Sequence, residues 1–140
     1  MNKMIIYLIA MLLISMQVIS ADLYQPNSGD KELDEYLVQI NKKINKKSRK
    51  NLSKFVDKVS QEFQVPPQKV EELFNHYEFN APDVLMSVSI ADVSGEPLQN
   101  IAGVYYKNKT QGWSYTLQQL NIRKTSKVFI QIKNDVKLAL

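Results

Sequence analysis

A chain of 140 residues with no cysteine has room for one modest core, and no disulfide or thiolate-held metal to reinforce it. A single histidine, His76, is too few for a histidine-built zinc site, which needs three or four ligands. The formal charge of +4 is mildly basic and suits anionic partners without requiring one.

The first twenty-one residues have the order of a secretory signal peptide. Lys3 supplies the positive start, an apolar run extends from Met4 to Ile14, and weaker apolar character continues to Ile19. Ser20 and Ala21 then offer two small-residue cleavage points, after either one. The alternative is a retained membrane anchor, but the run is shorter than the roughly 20 apolar residues of a span and contains Ser15 and Gln17. No cysteine stands at the cut, which excludes lipid attachment there. The expected location is therefore periplasmic or secreted, with a bacterial envelope as the natural setting. Residues 22–30 are polar and turn-rich and are expected to be a linker.

From Lys31 to Gln64 there is neither glycine nor proline. Leu33, Tyr36, Leu37, Ile40 and Ile44 recur at helical spacing, with Asp30 as N-cap and Glu32, Asp34 and Glu35 in the first turn. Leu52, Phe55, Val56, Val59 and Phe63 form a second stripe, about 90° from the first on one continuous helix. Two helices, or one bent helix, are expected, with the change at 45–51. Together, residues 31–63 are read as a helical arm and 64–140 as a compact helical domain.

Val65-Pro66-Pro67 starts the next helix, which runs to about Tyr77 over Val70, Leu73 and Phe74. Asn80-Ala81-Pro82-Asp83 starts another, running to about Val93 before Gly95. Its β-branched residues would also allow a strand. Gly95-Glu96-Pro97 begins a helix lined by Leu98, Ile101, Val104 and Tyr105, and a polar turn leads to a short helix from Trp113 to Leu120. Asn121 is the expected left-handed cap, with Ile122 packing back. Ser126 caps a last helix carrying Val128, Phe129, Ile132 and Val136, although Val128–Ile132 could instead be a strand. Aligning Pro66 with Pro97 pairs Val70 with Ile101, Leu73 with Val104 and Phe74 with Tyr105, a weak repeat of about 31 residues. The fold class expected is all-α: αα-hairpins with an N-terminal helical arm.

The segments Val65–Phe74, Asp83–Met86 and Gly112-Trp113, with Leu117 and Leu120-Asn121-Ile122, carry a resemblance. Over roughly 63–134 the chain resembles small exported bacterial proteins of uncharacterised function, which share a Gly-Trp-Gly turn ahead of a short helix. Ser114 stands where their second glycine would be, and Lys124-Thr125 where a Pro-Gly would be. The resemblance implies an all-helical, exported domain and supplies no activity.

The strongest charge feature is Lys42, Lys43, Lys46, Lys47, Arg49 and Lys50, continuing into Lys54 and Lys58, with Asp57 alone opposing. It reads either as a solvated helix face or as a surface for an anionic partner: an envelope polymer, a lipid surface or another envelope protein. Aromatics for base stacking are scarce in this segment, and export argues against nucleic acid. Trp113 is expected to be a packing anchor rather than a stacking platform, with Gly112 before it for backbone freedom. There is no Gly-x-Ser-x-Gly elbow, and Glu71, Glu72, Glu78, Asp83, Asp92 and Glu96 read as solvated acids. No cofactor is expected. The functional expectation is a non-enzymatic binding module; the alternatives are a cell-wall polymer hydrolase and a structural or stress-related periplasmic protein.

Overall fold

Each apolar stripe from Lys31 onward becomes the buried face of a helix. The computed structural model describes residues 23–44 and 47–140; the expected signal segment 1–21 and Lys46 lie outside the described residues. Among the described residues the fold is all-α, with no strand. In chain order the helices are α1 (Lys31–Lys43), α2 (Arg49–Phe63), α3 (Pro67–Asn75), α4 (Ala81–Ser94) and α5 (Leu98–Lys107), then a 3-10 turn (Lys109–Gln111), α6 (Gly112–Gln119) and α7 (Lys127–Leu138).

Local chemistry sets most of these limits. The Leu33 amide donates to Asp30 Oδ1 at 2.8 Å, the Asn51 amide to Ser48 Oγ at 3.4 Å, and the Phe129 amide to Ser126 Oγ at 3.1 Å. Each cap satisfies an amide that the helix itself leaves without an acceptor and is worth about 1 kcal/mol. Pro66 and Pro97 precede α3 and α5, where a missing N–H costs nothing. Gln64, Gly95 and Asn121 stop the chain in the left-handed region, with φ of 52°, 75° and 58°. After Asn121, the Ile122 amide donates back to Leu117 O at 2.9 Å. The stretches in α4 and α7 that would also have suited strands are helical: Pro82 in the first turn and Gly95 at the end delimit α4, and Ser126 caps the start of α7.

α4 organises the rest. Ala81 to Ile90 are all buried, so this helix has no polar side over its first ten residues and needs neighbours all round. α1, α2, α3, α5 and α7 supply them. Proline-started helix, polar turn and second helix recur as α3–α4 and α5–α6, but the two pairs are not equivalent: α4 is the centre and α6 keeps an exposed face.

Two expectations about domain organisation give way. Residues 31–63 are not an arm beside a separate domain. Leu33, Leu37 and Ile40 of α1, and Phe55, Val56 and Val59 of α2, belong to the same core cluster as Trp113, Phe129 and Ile132. The two stripes diverge because each helix meets different neighbours: α1 packs on α4 and α7, and α2 on α3 and α4. The segment before α1 is not a free linker either. Pro26 and Ser28 are buried, and the carbonyls of Pro26 and Asn27 accept from the Trp113 and Ser114 amides at 2.9 and 2.8 Å. This strap caps α6 with backbone oxygens where no side chain does so. Lys133 of α7 reaches Glu32 at 2.7 Å and Asp30 at 3.4 Å, tying α7 to the start of α1.

Candidate functional site

The basic segment is the first candidate. Lys42, Lys43, Lys47, Arg49, Lys50, Lys54 and Lys58 are all exposed. The fold does not gather them on one face. Lys50, Lys54 and Lys58 recur every four residues and so stand one above another along α2. Lys54 and Lys58 open onto a groove of about 270 Å³, which Lys43 reaches from the end of α1. Arg49 faces a different hollow beside Glu71 and Asn75, and Lys42 borders a third with Asp34 and Glu35.

The floor of the Lys43–Lys54–Lys58 groove is apolar. Ile44, Phe55, Val59, Leu85 and Ala139 line it, bringing together α1, α2, α4 and the end of α7. Asn51 and Glu62 are its other polar lining residues. Lys43 Nζ donates to the Leu140 carbonyl oxygen, which holds the last turn of α7 against the end of α1. Among the described residues, Lys50, Lys54 and Lys58 make no ion pair. Like charges at i,i+4 repel, so this ridge weakens the isolated helix rather than supporting it.

The second candidate is a buried polar centre that sequence reasoning read wrongly. Asp83 is not a solvated acid: it is fully buried in the first turn of α4. Its Oδ1 accepts from Tyr24 Oη at 2.6 Å, Trp113 Nε1 at 2.9 Å and Tyr105 Oη at 3.0 Å. Its Oδ2 has no hydrogen-bond partner, and neither does the buried Thr116 Oγ1. Burial pushes the Asp83 carboxyl above its ordinary range, against the three donors and the Lys109 charge, which pull it down. Burial and the facing carboxylate push both Tyr24 and Tyr105 hydroxyls far up. They therefore act as fixed donors. One signal in the sequence pointed here: an acid in the first turn of a helix with no polar side has nowhere to go but inward.

Trp113 and Gly112 complete that centre. The Trp113 ring is fully buried and stacks on Tyr105, with centroids 3.8 Å apart and planes at 5°. Gly112 has φ 71°, and a Cβ there would lie 2.5 Å from Asn27 Cβ and 2.7 Å from the Pro26 oxygen. Its missing side chain admits the strap, so the close approach is made by the protein's own backbone. Among the described residues, the donors to Asp83 come from the strap, α5 and α6, so the carboxylate joins three parts of the fold.

The other acids remain dispersed. Of Glu71, Glu72, Glu78, Asp83, Asp92 and Glu96, Glu71 alone lines one of the hollows described above. Glu72 pairs with Lys69 at 3.3 Å, and His76 is exposed at the end of α3. No group of three or more His, Cys, Asp or Glu among the described residues has the arrangement of a metal site. No described helix is long and apolar enough to cross a membrane. Compared with known proteins, the chain matches no family model, no curated sequence and no solved structure.

Proposed function

We propose that this protein is an exported, non-enzymatic binding module that attaches to an anionic component of the cell envelope through the basic surface of α2 and the end of α1. One observation carries the reading. Positions 42–58 hold eight basic side chains against Asp57, and three of them form a ridge without ion-pair partners among the described residues. A ridge of that kind costs stability in the free protein and gains when an anion neutralises it. Near a negatively charged membrane, each such side chain adds about 1 kcal/mol of attraction, screened by salt.

The test uses the chain from residue 22 onward, sedimented with phosphatidylglycerol or phosphatidylcholine vesicles and with soluble acidic polymer, at low and high salt. The expected result is attachment to an anionic target that weakens steeply as salt rises. Glutamine at Lys43, Lys50, Lys54 and Lys58 together abolishes it. Attachment that is indifferent to salt and to these four substitutions refutes the reading.

A further inference from the structure

The groove beside the lysine ridge gives the anionic partner a second chemical requirement. A surface that bound anions by charge alone would need only exposed lysines. Here Lys43, Lys54 and Lys58, with Asn51 and the single carboxylate Glu62, border a depression whose apolar lining is Ile44, Phe55, Val59, Leu85 and Ala139, so the border keeps a net positive charge. An occupant that satisfies both rim and floor is negative at one end and hydrocarbon at the other.

We propose that the groove receives an acyl chain of an anionic membrane lipid, with Lys43, Lys54 and Lys58 around its phosphate. This rests on the attachment reading above and narrows it to a lipid source. Three observations favour lipid over an acidic protein segment. The groove of about 270 Å³ has room for only a few side chains of a helix, which is about 10–12 Å across, so a docked helix would leave most of its face outside. The groove is walled by helices, whose mid-helix backbone groups are already paired within each helix, so it offers an extended peptide no sheet edge to join. Lysine ammonium groups, as compact point charges, suit a phosphate without demanding planar two-point geometry. A polysaccharide would leave the apolar floor unused. Leu138, one residue before Ala139, is 72% exposed and adds an apolar side chain at the same end of α7.

The experiment measures binding of a single-chain lipid, lysophosphatidylglycerol below its micelle concentration, by calorimetry on the chain from residue 22. Glycerol phosphate serves as the headgroup alone and polyglutamate as an acidic polypeptide. Two variants block the groove without changing charge: Ala139→Trp at the end of α7 and Asn51→Trp on the exposed rim. Lys54→Gln/Lys58→Gln removes charge without filling it. Helical circular dichroism checks that each variant is folded, and the two blocking positions lie on different helices, so one serves if the other does not fold. The expected result is one lysolipid per chain, no measurable glycerol phosphate binding, and at least tenfold weaker lysolipid binding in the blocking and the charge variants alike. Vesicle attachment that is lost in Lys54→Gln/Lys58→Gln but intact in a folded blocking variant overturns the groove while leaving the basic-surface reading in place. Binding of polyglutamate with none of lysolipid does the same and assigns the surface to a protein partner. Binding to none of the three probes, nor to anionic vesicles, removes both.

Discussion

Replacing Asp83 separates the cost of losing its hydrogen bonds from the cost of burying its charge. In Asp83→Ala, the hydroxyl of the fully buried Tyr105 and the indole N–H of the fully buried Trp113 lose their acceptor, as does the hydroxyl of the half-buried Tyr24. Each orphaned buried donor costs about 1–3 kcal/mol, so the two on fully buried residues together cost about 2–6 kcal/mol. That is a large part of the 5–15 kcal/mol total typical of a single domain. Asp83→Asn keeps an oxygen acceptor for all three donors and removes the titration; the NH2 it places where Oδ2 has no partner adds a cost that does not change with pH. The sign of the pH effect follows from burial, which raises the folded carboxyl above its unfolded value of about 3.9. An acid that holds its proton more tightly when folded contributes stability that is complete below about pH 3.9 and is lost as pH rises through the folded value. Wild-type stability measured relative to Asp83→Asn should therefore fall as pH rises above about 4, by at most about 1.4 kcal/mol per pH unit. Urea unfolding of the three proteins between pH 4 and 8 gives both numbers. At pH 4, where relief of a buried charge offsets least, Asp83→Ala should show its greatest loss. Parallel wild-type and Asp83→Asn profiles, or an Asp83→Ala cost under 1 kcal/mol at pH 4, would falsify the assignment of Asp83 as a buried acceptor with a raised carboxyl.

Trp113→Ala removes the largest buried ring and its stack on Tyr105, and should cost about 3–5 kcal/mol in denaturant unfolding; a cost under 1 kcal/mol contradicts its burial. Gly112→Ala forces a Cβ to within 2.5 Å of Asn27 at a left-handed backbone position and should lose more than about 1 kcal/mol, measured the same way. Its hydrogen exchange should quicken at the Trp113 and Ser114 amides, which the strap covers; unchanged protection there would show that the strap does not close on α6. Gln at Lys50 and Lys54 relieves like-charge repulsion along α2 and should leave the melting temperature unchanged or slightly raised, most visibly at low salt, and a marked fall would reveal structural partners for these side chains.

Helix limits were legible because they are set by nearby residues. Asp30, Ser48 and Ser126 bond to amides three positions on, and Gly95 and Asn121 supply left-handed stops within their own turns. The burial of Asp83 had its signal in the all-apolar start of α4, but its partners were not legible, because they lie 59, 22 and 30 residues away, at Tyr24, Tyr105 and Trp113. The strap was missed for a different reason: it acts through the carbonyls of Pro26 and Asn27, and a backbone oxygen has no sequence signature. The basic cluster could be read as composition, but its division could not. Lys43, Lys54 and Lys58 share a groove only because Leu85 and Ala139 arrive from α4 and α7, while Arg49 and Lys42 turn to other surfaces. The divergent stripes of 31–63 did announce a change of helix at 45–51, but not where each helix would pack, because α4 and α7, which cover them, lie further along the chain.

α4 connects the buried centre to the groove, and its geometry says how strongly they should be coupled. Asp83 and Leu85 are two residues apart, or about 200° around the helix axis, and so project from nearly opposite sides. One side receives Tyr24, Tyr105 and Trp113; the other forms part of the groove floor. A change of charge at Asp83 that preserves its shape therefore has no direct route to a ligand over Leu85. Asp83→Asn should bind lysophosphatidylglycerol within about twofold of wild type even where its pH-dependent stability differs, because the two readouts belong to different faces of one helix. Leu85→Ala should do the reverse: it opens a cavity at the groove floor and should weaken lysolipid binding along with stability. The wild-type slope of stability against pH should remain, since the Asp83 centre is intact. Equal losses of lysolipid binding in Asp83→Asn and Leu85→Ala would mean that α4 responds as a unit, and that the two faces cannot be treated apart.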